Sequence, residues 1–185
     1  FSNLKENKDL IKQAIEKRTS CSVKALNEFG ITDVKFFDLP CGRLDTLPIL
    51  ELNKIIESEI MDFSPDVVMT HSELDVNNDH KIVYKSVIMA TRPGTFDSLK
   101  TILSFEILSS SEWNVDNPFS PNMFEEINKE QLNKKWAALS YFEDEIRSYP
   151  HPRSFEGIET LAKYRGMQSG TSFAESFKII RSVKS

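Results

Sequence analysis

The chain has 185 residues, of which 39% are hydrophobic, and its formal net charge is −5 at pH 7. This length is enough for one domain with a real core. The acidic balance, with basic residues scattered along the chain, argues against a nucleic-acid partner. No apolar run approaches the roughly 20 residues of a membrane-spanning helix. Cys21 and Cys41 form no C-x-x-C pair, so a reducing, cytoplasmic location is the default expectation, although a single disulfide stays open.

Hydrophobic periodicity predicts helices and strands that alternate along the chain. Helices are predicted over 6–29, 47–61, 79–90, 128–147 and 154–167, and strands over 34–37, 66–69, 102–107, 124–127 and 176–181. The polar, proline-containing stretch 109–123 is expected to be a surface loop. This alternation predicts one α/β domain over residues 1–185, with a Rossmann-like, mostly parallel sheet flanked by helices in three layers.

A run of polar residues from Thr70 to His80 follows the apolar strand 66–69 and precedes the helix 79–90. The run contains His71 and His80, which are two of the three histidines in the chain. In open α/β sheets, ligands bind where strands end and helices begin. The sequence therefore places its candidate functional site in this loop.

Three interpretations of this loop compete. The spacing Asp75-x-Asn77-x-Asp79 is that of a calcium-binding EF loop, but His80 stands where glycine is required and Ser86 where glutamate is required. That interpretation is rejected. Helix capping by Asn77 or a neighbour explains one polar residue, and a metal site in which Asp79 orients His80 explains several. The residues alone leave capping and metal binding equally open, because one histidine is never a metal site by itself.

The pattern T-H-x-x-x-D-x-N-x-D-H resembles the second motif of the PIG-L/LmbE family of zinc-dependent N-deacetylases. The likeness covers nearly the whole chain and includes 37–40, 43–46, 90–93, 150–154 and 164–166. Family members open with a strand that ends in a His-Pro-Asp-Asp motif, which supplies two zinc ligands and a general base. No such motif occurs here, so the resemblance implies that roughly 60 residues, including the first strand, are missing from this chain.

The resemblance implies a zinc cofactor and removal of acetyl from an N-acetylated sugar, such as N-acetylglucosamine, or its conjugate. His80 would be the third zinc ligand, and Asp79 would orient a neighbouring imidazole. Asn77 stands where many relatives place a histidine that polarises the carbonyl or protonates the amine. An amide cannot act as an acid, so His71 is the nearest candidate for that role. Asp75 would accept a substrate hydroxyl or orient His71.

Five further residues are candidates for substrate binding, and each also has a purely structural explanation. Arg43 has a planar fork that suits sugar hydroxyls or phosphate, whereas Asp45 alone is more typical of a helix cap. Arg92 could neutralise a helix C-terminus. His151, which lies between two prolines, and Arg153 are equally compatible with a rigid turn. The resemblance favours the site for all five.

Two other functions stay open on the sequence. A non-catalytic carbohydrate- or nucleotide-sugar-binding module could use the same fold, since fold does not fix function. An amidase acting on a non-sugar acyl amide is the other. Neither the exact substrate nor the oligomeric state follows from the sequence, which is also compatible with a homo-oligomer.

Overall fold

The structure is a computed structural model that describes residues 8–184. The chain divides into two compact units, which are Phe1–Asp38 with Ile127–Ala162, and Leu39–Glu126 with Lys163–Ser185. The prediction of a single domain stays a prediction. Cys21 and Cys41 are both free thiols. No helix among the described residues is long and apolar enough to cross a membrane.

Five α-helices and four strands make up the described chain. The helices are α1 (Lys8–Asn27), α2 (Ile49–Phe63), α3 (Asn78–Ala90), α4 (Lys129–Ser140) and α5 (Phe155–Ser169). The strands are β1 (Val67–His71), β2 (Thr101–Phe105), β3 (Met123–Glu126) and β4 (Ala174–Ser182). Each of these elements overlaps a predicted one of the same type.

The first unit contains α1, α4 and the first part of α5. Helix α4 begins after Asn128, whose side chain forms a capping box with Gln131, and this satisfies backbone donors at the helix start. The predicted helix 128–147 is too long, because α4 ends at Ser140. The following turn brings two carboxylates to α1, in the pairs Lys17–Asp144 at 2.5 Å and Arg18–Glu145 at 2.9 Å. If α4 continued beyond Ser140, Asp144 and Glu145 would lie farther along the helix axis and not in this turn.

The second unit contains a four-stranded sheet in the order β1-β2-β4-β3. Strands β1 and β2 are parallel and in register from Val67↔Thr101 to His71↔Phe105. Strand β4 is antiparallel to both β2 and β3. The predicted α/β class is confirmed, but the sheet is mixed rather than mostly parallel. The chain enters β4 beside the C-terminal end of β2, where Phe177 pairs with Phe105, so β4 runs back along β2.

The predicted strand over 34–37 does not form. These residues carry no regular secondary structure, and the side chains of Phe36 and Phe37 are 49% and 47% exposed. A strand is stable only when its backbone groups find a partner strand. The apolar residues Val34, Phe36 and Phe37 favoured an extended strand at this point, but local composition could not supply that partner.

The hydrophobic core of the second unit holds α3 against β1 and β2. Val87, Leu99 and Ile102 are buried together at its centre. Helices α2 and α3 pack on each other, and α3 packs on β1. The end of β1 and the start of α3 are therefore fixed by packing, and the polar loop between them joins two rigid elements.

Strand β1 lies at the edge of the sheet in the described part of the chain, with Met69 54% exposed. An exposed apolar edge strand is a template for pairing between molecules. We expect Met69→Lys to slow aggregation of the chain from Phe1 to Ser185 several-fold without lowering its melting temperature. Light scattering during incubation at fixed concentration measures this. Met61→Lys, at a 68% exposed site in α2, is the matched control, and an equal effect there would contradict the edge explanation.

Candidate functional site

Two histidines meet where β1 ends and α3 begins. His71 is the last residue of β1, and His80 lies in the first turn of α3. Their rings stack, with centroids 4.2 Å apart and planes 19° apart. The ring of Phe105, which pairs with His71 across the sheet, lies 5.4 Å from the His71 ring. One side of the pair is thus apolar, and Nδ1 of each histidine is buried without a hydrogen-bond partner among residues 8–184.

A buried carboxylate lies against this pair. Asp75 is 1% exposed, and its Oδ2 is 3.2 Å from Nδ1 of His80. That contact is a close approach of a nitrogen and a carboxylate rather than a regular hydrogen bond, because Nδ1 of His80 has no hydrogen-bond partner among the described residues. The remaining acceptor positions of Asp75 take the backbone N–H of Asn77 at 2.8 Å and the hydroxyls of Ser110 and Ser111.

Asp75 has contacts that its predicted role did not include. The carboxylate was expected to accept a substrate hydroxyl or to orient His71. In the structure it accepts hydrogen bonds from protein donors and lies against His80, and a part in substrate binding stays a prediction.

Asp79 also has a different contact from the one predicted. Its carboxylate accepts the backbone N–H groups of Gly42 at 2.5 Å and Leu44 at 3.0 Å. It therefore fixes the 40–46 loop, and its part in orienting an imidazole stays a prediction. The side chain of Asn77 accepts the N–H of Asp79 at 2.9 Å and caps α3, so the capping interpretation holds for Asn77. Its amide nitrogen is the part left for a ligand.

The protonation of the site follows from burial and hydrogen bonds. Burial, together with the neighbouring His80, lowers the pKa of His71 to about 4, and Asp75 opposes both effects. Burial also acts to raise the pKa of Asp75, but hydrogen bonds from Ser110 and from Asn77 N–H, together with His80, hold it below its usual value. At neutral pH the site thus contains a neutral His71 beside an ionised Asp75.

A pH dependence of stability follows for the metal-free protein. The unfolded chain binds a proton at His71 near pH 6.5 and the folded chain only near 4, so stability is complete above 6.5 and falls as the pH drops toward 4. The loss is at most about 3 kcal/mol. Urea midpoints measured across this range in EDTA should be less pH-dependent for His71→Asn than for the wild type. Identical slopes would contradict the burial of this ring.

The described residues do not by themselves fit a complete zinc site. A catalytic zinc takes about three protein ligands and one water, and no group of three or more His, Cys, Asp or Glu residues in the described chain could hold a metal ion. His80 has the right chemistry for one ligand, because Asp75 adjoins its Nδ1 as carboxylates adjoin metal-bound imidazoles. Further ligands would have to come from outside residues 8–184.

Of the five further candidates for substrate binding, Arg43 has neighbours on both sides that are bonded to the motif loop, which is the run from Thr70 to His80. It lies between Gly42 and Leu44, the two residues that Asp79 holds by their N–H groups. Asp45 follows in a short 3-10 helix and is exposed. Arg92 follows the far end of α3. At 1.5 Å per residue it is roughly 18 Å along the helix from His80, so Arg92 is not part of this cluster.

The other two predicted residues belong to the first unit. His151 uses Nδ1 to accept the N–H of Arg153 at 3.1 Å, and the Arg153 guanidinium pairs with Glu145. Both interactions support the structural explanation of a fixed turn. A part in substrate binding stays a prediction for these residues.

Sequence reasoning missed Ser110 and Ser111, which it placed in a surface loop. Both are buried, at 6% and 3% exposure. One signal was available, because three consecutive serines at 109–111 come shortly after β2, whose end lies beside the end of β1 in the parallel pair.

The comparisons with known proteins concern the family and the fold. Residues 2–91, slightly less than half of the chain, match the PIG-L family, described as GlcNAc-PI de-N-acetylase. The conserved protein TT1542 from Thermus thermophilus is similar in structure, with a TM-score of 0.71 and 19% identity, over 92% of this chain and 76% of that one. No curated protein sequence matches significantly.

Deacetylases are among the similar structures. N,N'-diacetylchitobiose deacetylase from Pyrococcus horikoshii has a TM-score of 0.68 and 16% identity, over 90% of this chain and 64% of that one. The A40926 pseudoaglycone deacetylase Dbv21 has a TM-score of 0.68 and 17% identity, over 93% and 73%. The chain thus shares the fold of these structures. The resemblance of the chain to the PIG-L/LmbE family, first carried by the loop from Thr70 to His80, is confirmed.

Proposed function

We propose that this chain forms part of a metal-dependent N-deacetylase, a hydrolase that cleaves the amide of an N-acetylated sugar or sugar conjugate into an amine and acetate. The observation that carries the proposal is the buried Asp75 against Nδ1 of His80, at the junction of β1 and α3. The family match over residues 2–91 and the deacetylases of similar fold support it. N-acetylglucosamine conjugates are the proposed substrates, and the cytoplasm the proposed location.

Zinc is the proposed cofactor, with His80 as its one ligand among the described residues. A structure of similar fold is a zinc-inhibited form of teicoplanin deacetylase Orf2, which supports a metal in proteins of this fold. Such an ion, when bound, lowers the pKa of a water and polarises a carbonyl. The chain's own residues would then hold the metal and orient the substrate.

Asn77 and His71 are the proposed groups beside the reacting amide. The Asn77 oxygen is used in the helix cap, so its amide nitrogen is the end that can donate to a developing oxyanion. The acid role predicted for His71 needs a protonated ring, and burial works against that form at neutral pH. We therefore propose that His71 contributes a neutral polar contact.

Arg43 is the proposed contact to the sugar or its phosphate. Because Asp79 fixes the residues on both sides of it, Arg43 is presented from an ordered loop. We expect Arg43→Ala to raise KM several-fold with little change in kcat, as when uniform binding is lost. Arg92→Ala is the matched control and should leave both unchanged, since Arg92 lies at the far end of α3. Equal increases in KM for both variants would contradict this placement.

A second candidate function is a carbohydrate-binding module without catalysis. The observation that favours it is the lack of a three-ligand metal group in the described chain. Proton NMR of the N-acetyl methyl group separates the two functions, using the chain together with any sequence encoded before Phe1. Release of free acetate from N-acetylglucosamine conjugates supports the enzyme. Line broadening without acetate supports the binding module. Acetate release from non-sugar acyl amides alone would indicate the amidase instead.

A further inference from the structure

Two hydroxyl groups outside the motif loop hold its buried carboxylate. Ser110 Oγ donates to Oδ1 of Asp75, and Ser111 Oγ lies 3.0 Å from Oδ2. Ser111 Oγ also accepts the N–H of Ile107 at 2.8 Å. A serine hydroxyl has one proton to donate, and the Ile107 contact uses an oxygen lone pair. The Ser111 proton is therefore directed at Asp75.

The serine segment is itself fixed in place. The Glu112 carboxylate accepts the N–H groups of Ser109 at 2.5 Å and Ser110 at 3.0 Å. The Asn114 amide donates to the carbonyl oxygen of Leu74 at 2.7 Å. The segment 107–114 is thus bonded to itself and to the motif loop, so the two hydroxyls approach Asp75 from a defined position.

The arrangement around Asp75 selects one tautomer of His80. Oδ1 accepts from Ser110 and from the N–H of Asn77, and Oδ2 accepts from Ser111. The free side of Oδ2 lies 3.2 Å from Nδ1 of His80. A lone pair on Nδ1 would be repelled by this oxygen, whereas an N–H there is attracted to it. The contact therefore favours the tautomer with the proton on Nδ1, which leaves the lone pair on Nε2.

We propose that Ser110 and Ser111 are positioning residues that hold Asp75 so that His80 keeps its proton on Nδ1 and presents Nε2 as a ligand atom. The proposal rests on the proposed function for the use of Nε2, but the tautomer itself is a property of the protein without metal. Removing the hydroxyls frees the carboxylate to rotate, and the tautomer preference of His80 weakens.

The test is ¹⁵N NMR of the imidazole nitrogens in the full-length protein with ¹⁵N-labelled histidine, free of metal and at about pH 8.5, above the usual range of imidazole titration. We expect wild-type His80 to show a protonated Nδ1 and an unprotonated Nε2. Ser110→Ala with Ser111→Ala should shift the population toward protonated Nε2. The single variant Ser110→Thr, which keeps a hydroxyl at position 110 and leaves Ser111 unchanged, should show the wild-type pattern.

Ser86→Ala is the matched control, because Ser86 is fully buried in α3 and its hydroxyl has no hydrogen-bond partner in the described part of the chain. If the double variant does not fold, each single alanine variant gives the same readout. A wild-type His80 protonated mainly on Nε2, or a tautomer unchanged in folded serine variants, would overturn the proposal. Neither result depends on deacetylation, so failure of the positioning role is distinguishable from failure of the proposed function.

Discussion

Replacing His80 with alanine should remove bound metal and deacetylation together, in a protein that contains this chain and any sequence encoded before Phe1. His80 is the histidine that adjoins a buried carboxylate at the end of β1. Changes to groups around metal ligands already cost about 10–100-fold in affinity or activity, so loss of a ligand should weaken zinc binding by more than about 100-fold. Elemental analysis after gel filtration and an acetate-release assay measure the two effects.

His151→Ala is the control for that experiment, since His151 lies in the first unit and its Nδ1 accepts a backbone N–H. Its zinc content should equal that of the wild type. Full zinc content in His80→Ala would contradict the assignment of His80 as a ligand.

Breaking the buried ion pair between Arg165 and Glu106 should lower the free energy of unfolding more than breaking an exposed ion pair does. Arg165 donates from Nε and Nη2 to the two oxygens of Glu106 at 2.7 and 2.6 Å, and Ser176 donates to the same carboxylate. Removing one member of a buried pair leaves an uncompensated charge and costs about 3–5 kcal/mol. We therefore expect Arg165→Ala to lower the urea midpoint strongly.

A double variant and a control variant test this prediction further. The pair of Arg165→Met with Glu106→Leu should recover much of the loss, because no unpaired charge stays buried. Lys178→Ala, which removes a half-exposed pair with Glu73 at 3.5 Å, should cost less than about 1 kcal/mol. A similar small loss in Arg165→Ala would show that the pair is not buried in solution.

The stretch 164–166 is one of those that resemble the PIG-L/LmbE family, and its residues are explained by packing. The backbone of Gly166 passes so close to the following turn that an added Cβ would lie 2.7 Å from the carbonyl oxygen of Thr171. Arg165 and Gly166 thus have structural roles in the second unit, one as a buried partner and the other as a close approach.

The elements of the fold could be predicted from hydrophobic periodicity, but their pairing could not. Strand β4 was expected near its observed position, yet nothing local states that it runs antiparallel to β2. The strand expected over 34–37 shows the same limit, because pairing needs a partner that composition does not supply. Likewise, nothing local indicated that α4 ends at Ser140 or that Asp144, just beyond it, pairs with Lys17 of α1, more than a hundred residues away.

The candidate site shows how far motif spacing reaches. Spacing located His71, Asp75 and His80 close together in the chain, and the structure brings His80 into contact with each of the other two. It did not give the partner of each carboxylate, because Asp75 and Asp79 are four residues apart on a chain that turns between them. Ser110 and Ser111 were missed because they are distant from Asp75 in sequence. They reach it because β1 and β2, which precede these two segments, are paired in the sheet.

Acetate release from an N-acetylglucosamine conjugate, measured before chelation, after chelation and after zinc is returned, tests the central claim most directly. The protein should contain this chain with any sequence encoded before Phe1. The account predicts release that stops with the chelator, returns with stoichiometric zinc, and is absent throughout in His80→Ala. Release that persists at full rate in the chelated protein or in His80→Ala would contradict the account.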